Sequence, residues 1–341
     1  MNLQSVKNTI EIRTFTKYRN ELMGGAILWI FLFHCGNIGY PVYDAFRKYG
    51  WIGVDVFIFL SAIGICYSLS KNNDVKSFYT RRALRILPTW WTVLFGVHVL
   101  GLLCNHFLPK LPFHVPHSIP QILCWYSGLG YWLSDILPDA KKWCYEWYIP
   151  SLILFYIVAP WFYRQKTKVL IVVLLLALIL SCYLSNYQLL HGLRLFYRRI
   201  PVFIMGFLYY RMITTNWNQS SLVIILSWII GIILLILNVY YDMGIPAIHI
   251  YQLLMPLFCI LFIWIIKGLR LNSLFHFWGG ITLELYLIHL YKRPIYLLGL
   301  FIKNPVVVLL LALIVCSVIA WLLHKIIMKI TGKANILQVV K

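Results

Sequence analysis

Apolar runs long enough to cross a hydrocarbon core recur from end to end of this 341-residue chain, and they constrain its fold more than any other feature. A bilayer core about 30 Å thick needs roughly 20 apolar residues in a helix, and lipid offers no partner to a backbone group outside a helix or a closed barrel. Such runs are read at roughly 22–38, 50–69, 83–104, 145–163, 168–186, 198–211, 221–240, 247–268, 276–292 and 304–328. Charged residues make up 12% of the chain, against about 25% in a soluble domain. The expected fold is all-α, a polytopic membrane protein of about ten transmembrane helices. No inverted repeat of the transporter kind and no low-complexity tract interrupts the pattern.

The formal net charge is +20. The basic residues sit in short clusters between apolar runs, as topogenic signals do, and not in the single patch that nucleic-acid binding requires. With the N-terminus inside, nineteen of the thirty Lys and Arg residues fall on cytoplasmic segments and eleven on outer ones. Both termini are therefore expected in the cytoplasm, with residues 1–21 as a cytoplasmic head and 105–144 as a long extracytoplasmic loop. No small-residue cleavage site follows the first run, which reads as a retained span. The eight cysteines show no CxxC and no metal-like spacing, so they read as small apolar packing residues, and no metal site is expected. Cys124 and Cys144 share the outer loop and pair only if it faces an oxidising space.

Within the first run, LMGGAILWIFLFHCGNI, His34 is the only ionisable side chain. A titratable group at membrane depth is costly and reads by default as functional. The topology places Asp55 in the outer part of the second run, Glu146 at the entrance of the fourth, Arg198 and Arg199 at the mouth of the sixth, and His289 near the outer end of the ninth. Each alone has a plain structural reading as an interior, capping, solvated or snorkelling group. Buried charges need partners, so together they are expected to line a polar cavity open to the outer face. The outer loop is rich in Pro, His, Trp and Tyr, and its aromatic faces suit either sugar stacking or an interfacial belt.

On the cytoplasmic side, SFYTRRALRILPTWW carries Arg81, Arg82 and Arg85. Arg82 and Arg85 are three apart and share a helix face. Two guanidinium groups on one face form a site for phosphates, or else a translocation stop that meets anionic lipid. A phosphate site inside and a polar cavity outside fit two substrates arriving from opposite leaflets. A histidine tuned by a carboxylate is a general base for a hydroxyl nucleophile.

These residues resemble the acyltransferase-3 family of integral membrane acyltransferases over most of the chain. ELMGGAILWIFLFH carries the first-span histidine as His34, and GWIGVDVFIFLSAIG resembles the second span, with Asp55 and Ser61 in place. FYTRRALRILPTWW matches the basic motif ending in Arg-Ile-x-Pro, with Arg82, Arg85 and Pro88. EWYIPSLILFYIVAP, RRIPVFIMGFLYY and GGITLELYLIHLY resemble three later segments, in family order.

The resemblance implies one stand-alone acyltransferase domain over 1–341, multi-pass in a bacterial inner (plasma) membrane. Its implied reaction moves an acyl group, commonly acetyl, from acyl-CoA to a hydroxyl of an envelope or exported carbohydrate. Acyl-CoA would be a donor substrate, with no permanently bound cofactor. The implied roles are His34 as catalytic base with Asp55 and Glu146 in support, Arg82 and Arg85 at the CoA phosphates, and Arg199, His289 and Trp147 on the acceptor side. Many members carry an arginine eleven residues before the first-span histidine. Here that position is Met23, so Arg19 or a later basic residue would have to substitute. The rival reading is a transporter or flippase for a saccharide or lipid-linked glycan, which accounts for the cavity and the aromatic loop but not for the paired arginines.

Overall fold

The computed structural model describes residues 12–107, 115–137, 146–215, 228–234, 236–237, 247–290 and 293–332. Among the described residues every regular element is helical. In chain order these are α1 (Ile12–Lys17), α2 (Arg19–Cys35), α3 (Pro41–Lys48), α4 (Ile52–Lys71), α5 (Val75–Phe107), α6 (Ile119–Ser127), α7 (Tyr148–Arg164), α8 (Thr167–Asn186) and α9 (Arg194–Tyr197). They continue with α10 (Ile200–Thr215), α11 (Ala247–Leu253), α12 (Met255–Gly268), α13 (Asn272–Gly280), α14 (Thr282–Leu290), α15 (Arg293–Phe301) and α16 (Pro305–Ile330). Short 3₁₀ turns lie at Trp132–Asp135 and His191–Leu193.

Among the described residues, four helical stretches are long and apolar enough to cross a membrane: Pro41–Lys71, α5, α8 and α16. On α8, Val172, Leu176 and Ile179 face outward, as do Leu310, Ile314 and Val318 on α16. Apolar surface on this scale is sustainable only against lipid. The chain is a helical membrane protein. The predicted runs at 22–38, 145–163 and 198–211 correspond to α2, α7 and α10, of 17, 17 and 16 residues. The run at 221–240 lies partly outside the described residues.

Two predicted runs are broken. The one at 247–268 divides into α11 and α12, where Pro256 has no N–H for the carbonyl of Gln252 and its ring crowds that turn. The one at 276–292 divides where Gly279 and Gly280 end α13.

The chain comprises two compact units. The first contains Met1–Ile30, Trp51–Phe78 and Ser151–Gly280. Its centre is α4, buried continuously from Ile52 to Ile63. Small residues let other helices close on it. A Cβ on Gly53 would stand 2.6 Å from the Ala26 carbonyl oxygen of α2, and one on Gly206 of α10 would stand 2.5 Å from Ala62 Cβ. Neither neighbour is the end of a flexible side chain. Gly206→Ala is therefore expected to cost about 1–3 kcal/mol, seen as a lowered thermal midpoint in detergent. An unchanged midpoint would refute the close α4–α10 packing. Phe155 and Phe162 of α7 pack on Phe203 of α10, and Arg211 Nη2 donates to the Tyr163 carbonyl at 2.7 Å, satisfying one orphan acceptor at the end of α7.

The second unit contains Phe31–Gly50, Tyr79–Pro150 and Ile281–Lys341. In it α14 and α15 pack on α16, whose first amides at Val306 and Val307 donate to Asn304 Oδ1. The long connection after α5 holds a capped helix that the sequence reading leaves irregular. Gln121 Oε1 accepts from the backbone N–H groups of His117 and Ser118, at 2.9 and 3.2 Å, and Gly128 ends α6 at φ +70°. Helix α6 docks on the middle of α5. Trp125 Nε1 donates to the Leu94 carbonyl and Trp91 Nε1 to the Tyr126 carbonyl, both at 3.3 Å. Residues 108–114 and 138–145, with His114 and Cys144, lie outside the described residues. Among the described cysteines no two are joined by a disulfide.

Candidate active site

In the second unit the structure brings two of the sequence-selected residues together. His34 lies in the last turn of α2, and its Nδ1 is 2.8 Å from His289 Nε2 on α14. His289 Nδ1 lies 2.7 Å from the carbonyl oxygen of Leu285, one turn back on its own helix. The protons follow from these partners. A carbonyl oxygen only accepts, so His289 carries its proton on Nδ1 and its Nε2 bears the lone pair. That lone pair accepts the Nδ1–H of His34. In the neutral pair the remaining lone pair is on His34 Nε2. His289 is fully buried and His34 half-buried, so the outer ring is the accessible member.

Aromatic rings surround the pair. Phe31 and Tyr286 flank His289 at 5.7 and 5.8 Å between centroids. Tyr148 meets Tyr286 edge-on at 5.1 Å, and half-buried Trp147 meets Tyr148 in the same manner at 6.0 Å. The Glu146–Trp147–Tyr148 segment is thereby connected ring by ring to the histidines. Glu146 is 1% exposed, not solvated, and its Oε2 accepts from Trp90 Nε1 of α5. A Cβ on Gly128 would stand 2.8 Å from both the Trp90 ring and Pro150, so the end of α6 fixes the indole that holds Glu146. Arg82 and Arg85 lie in the first turns of α5, three residues apart, Arg82 half-buried and Arg85 exposed.

The first unit carries the other pair. Asp55 of α4 and Arg199, just before α10, are buried together with 3.7 Å between Oδ1 and Nε. Gln252 Nε2 donates to the same Oδ1 at 3.0 Å and to the Arg198 carbonyl at 2.9 Å. Met23 is buried in α2, while Arg19, one turn earlier, lies with its Nε 3.6 Å from where a Gly64 Cβ would be.

The same rule that selects His34, a polar group in an apolar run, applies to residues outside the family motifs. His249 and Gln252 in IPAIHIYQLLMP are buried and bonded to one another. Glu284 is buried in α14 and pairs with His324 of α16 at 2.9 Å. Trp90 has no such signal, because an indole in an apolar helix is ordinary until its partner is known.

Comparison with known proteins matches residues 24–325 to the acyltransferase-3 family model, described as an acyltransferase domain. A protein of the Acidianus two-tailed virus, "Putative acetyltransferase ORF330", is 26% identical over 103 residues, covering 30% of this chain and 31% of that protein. The aligned segment thus spans less than a third of the relative's length. No solved structure matches the chain. The family match begins within α2, before His34, and ends within α16, so it takes in both histidines, both arginine pairs and Glu146. The chain belongs to the acyltransferase-3 family.

Proposed function

We propose that this protein is a multi-pass membrane O-acyltransferase of a bacterial inner membrane, carrying an acyl group from cytoplasmic acyl-CoA to a hydroxyl of an envelope or exported carbohydrate. Acetyl is the proposed acyl group. The observation that carries the reading is the His34–His289 pair, whose hydrogen bonds put a lone pair on His34 Nε2. A base oriented by a second hydrogen-bonded group is the arrangement that activates a hydroxyl nucleophile.

In this mechanism His34 Nε2 takes the proton of the acceptor hydroxyl as its oxygen attacks the thioester carbonyl. The C–S bond breaks, and the proton passes from His34 to the departing CoA thiolate. Throughout, His34 Nδ1–H keeps donating to His289, so charging the ring demands no rearrangement. Glu146, held by Trp90, supports the charged state, and Trp147 offers a ring face to the acceptor. Asp55 and Arg199 bind acceptor hydroxyls.

Arg82 and Arg85 bind the CoA phosphates in this reading. Arg82→Met and Arg85→Met are each expected to raise the KM for acetyl-CoA roughly 10- to 100-fold with kcat little changed. That range corresponds to one charge-assisted hydrogen bond of about 1.5–3 kcal/mol. An unaltered KM in both variants would remove the donor site from this face.

The function itself is tested with purified protein in nanodiscs and labelled acetyl-CoA. Release of free CoA on addition of acceptor marks a transferase, whereas a saccharide transporter would release none. Mass spectrometry of the host's surface polysaccharides, with and without the gene, identifies the acceptor.

A further inference from the structure

Three helices of the first unit, and the backbone just ahead of a fourth, contribute to one chain of buried polar groups, of which Ser181, His249 and Gln252 have no part in the mechanism above. Ser181 Oγ of α8 is 2.9 Å from His249 Nε2 of α11. His249 Nδ1 is 3.1 Å from Gln252 Oε1. Gln252 Nε2 reaches Asp55 Oδ1 of α4 at 3.0 Å and the Arg198 carbonyl, ahead of α10, at 2.9 Å. Ser181, Gln252 and Asp55 are each 1% exposed and His249 is 4% exposed.

Donor and acceptor accounting leaves one arrangement. Gln252 faces two oxygens that only accept, the Asp55 carboxylate and the Arg198 carbonyl, so its NH₂ points there and spends both hydrogens. Its Oε1 then faces His249 Nδ1, which must carry a proton. His249 Nε2 is left with the lone pair and accepts the Ser181 hydroxyl proton. The reversed amide would oppose Oε1 to both oxygens and lose two bonds. Every donor along the chain therefore points toward Asp55. At its end, Asp55 Oδ2 is buried and has no hydrogen-bond partner. A buried carboxylate oxygen without a donor is costly, and the Gln252 amide that serves Oδ1 has spent both its hydrogens.

We propose that Ser181, His249 and Gln252 are positioning residues that hold the Asp55 carboxylate with Oδ2 presented to a ligand hydroxyl. The ligand class is a neutral polyhydroxyl compound, since Arg199 already stands beside Oδ1 and a second cation has nothing further to neutralise. The inference rests on the reading above in which Asp55 and Arg199 serve the acceptor. It adds the atom that meets the hydroxyl and the residues that aim it.

Two measurements test it. The first is nitrogen-15 NMR of histidine-labelled protein in detergent, with His249→Asn identifying the His249 signals. The expected result is a neutral ring protonated on Nδ1, with that signature lost in Gln252→Leu. An Nε2-protonated ring in the wild type would overturn the proposal.

The second complements a deletion strain with variant alleles and reads O-acyl content of the surface polysaccharide at matched protein level. His249→Leu and Gln252→Leu are expected to lower acylation at least tenfold. His249→Asn keeps an N–H donor toward Gln252 and is expected to stay within threefold of wild type. Equal losses in His249→Leu and His249→Asn, or full acylation in Gln252→Leu, would refute the relay. Full acylation in Asp55→Asn would instead refute the acceptor role of Asp55 on which the relay depends.

Discussion

Replacing His34 by alanine is expected to lower acyl transfer by roughly 10² to 10⁴, the range that a positioned general base contributes. The side chain lies near the C-terminal end of α2 and is only half-buried, so its removal leaves the helix and its packing in place. Membrane insertion and thermal midpoint should therefore match the wild type, which separates loss of chemistry from loss of fold. The measurement is CoA release in nanodiscs under saturating acetyl-CoA. Because His289 acts through His34, His289→Ala in the His34→Ala background should cost little more than His34→Ala alone, as for residues that work as one unit. Turnover in His34→Ala within tenfold of wild type would assign the base to another residue.

The largest stability effect is expected at Asp55. Both Asp55 and Arg199 are nearly completely buried, so deleting one charge leaves the other without compensation. Asp55→Leu is expected to destabilise the protein by about 3–5 kcal/mol. The double variant Asp55→Leu with Arg199→Met removes both charges and keeps apolar volume. It should recover most of that loss, because replacing a buried pair by apolar residues is often neutral. Thermal midpoints of the two single variants and the double variant in one detergent complete the cycle. Additive losses would show that the two side chains do not interact. The double variant should still lack acyl transfer, since stability and the acceptor site rest on the same pair.

Much of this molecule was legible from residue order. The helical class followed from apolar runs that only helices can carry through lipid. His34 stood out because a single ionisable group interrupts the first run, and the basic cluster at Arg82 and Arg85 stood out by its spacing. Helix α6 was missed, read as irregular loop, although Ser118, Gln121 and Gly128 spell a start and a stop beside the aromatic residues that hide it. The breaks after Leu253 and Gly280 were missed as well, inside runs read as continuous, although Pro256 and the paired glycines signal them.

What could not be read was partnership. Nothing local links His34 to His289 across 255 positions, or Gln252 to Asp55 across 197. Which ring nitrogen holds the proton depends on a carbonyl one turn away and on the partner across the helix interface. The sequence by itself determined that this chain is helical, membrane-borne and of the acyltransferase-3 kind, because hydrophobic run length and motif order are local properties. The tertiary structure alone decided that His289 faces His34, that Glu146 is buried against Trp90, and that His249 and Ser181 stand behind Asp55. Hydrogen bonding is directional and short-ranged, so these assignments exist only once the packed helices bring donor and acceptor within about 3 Å.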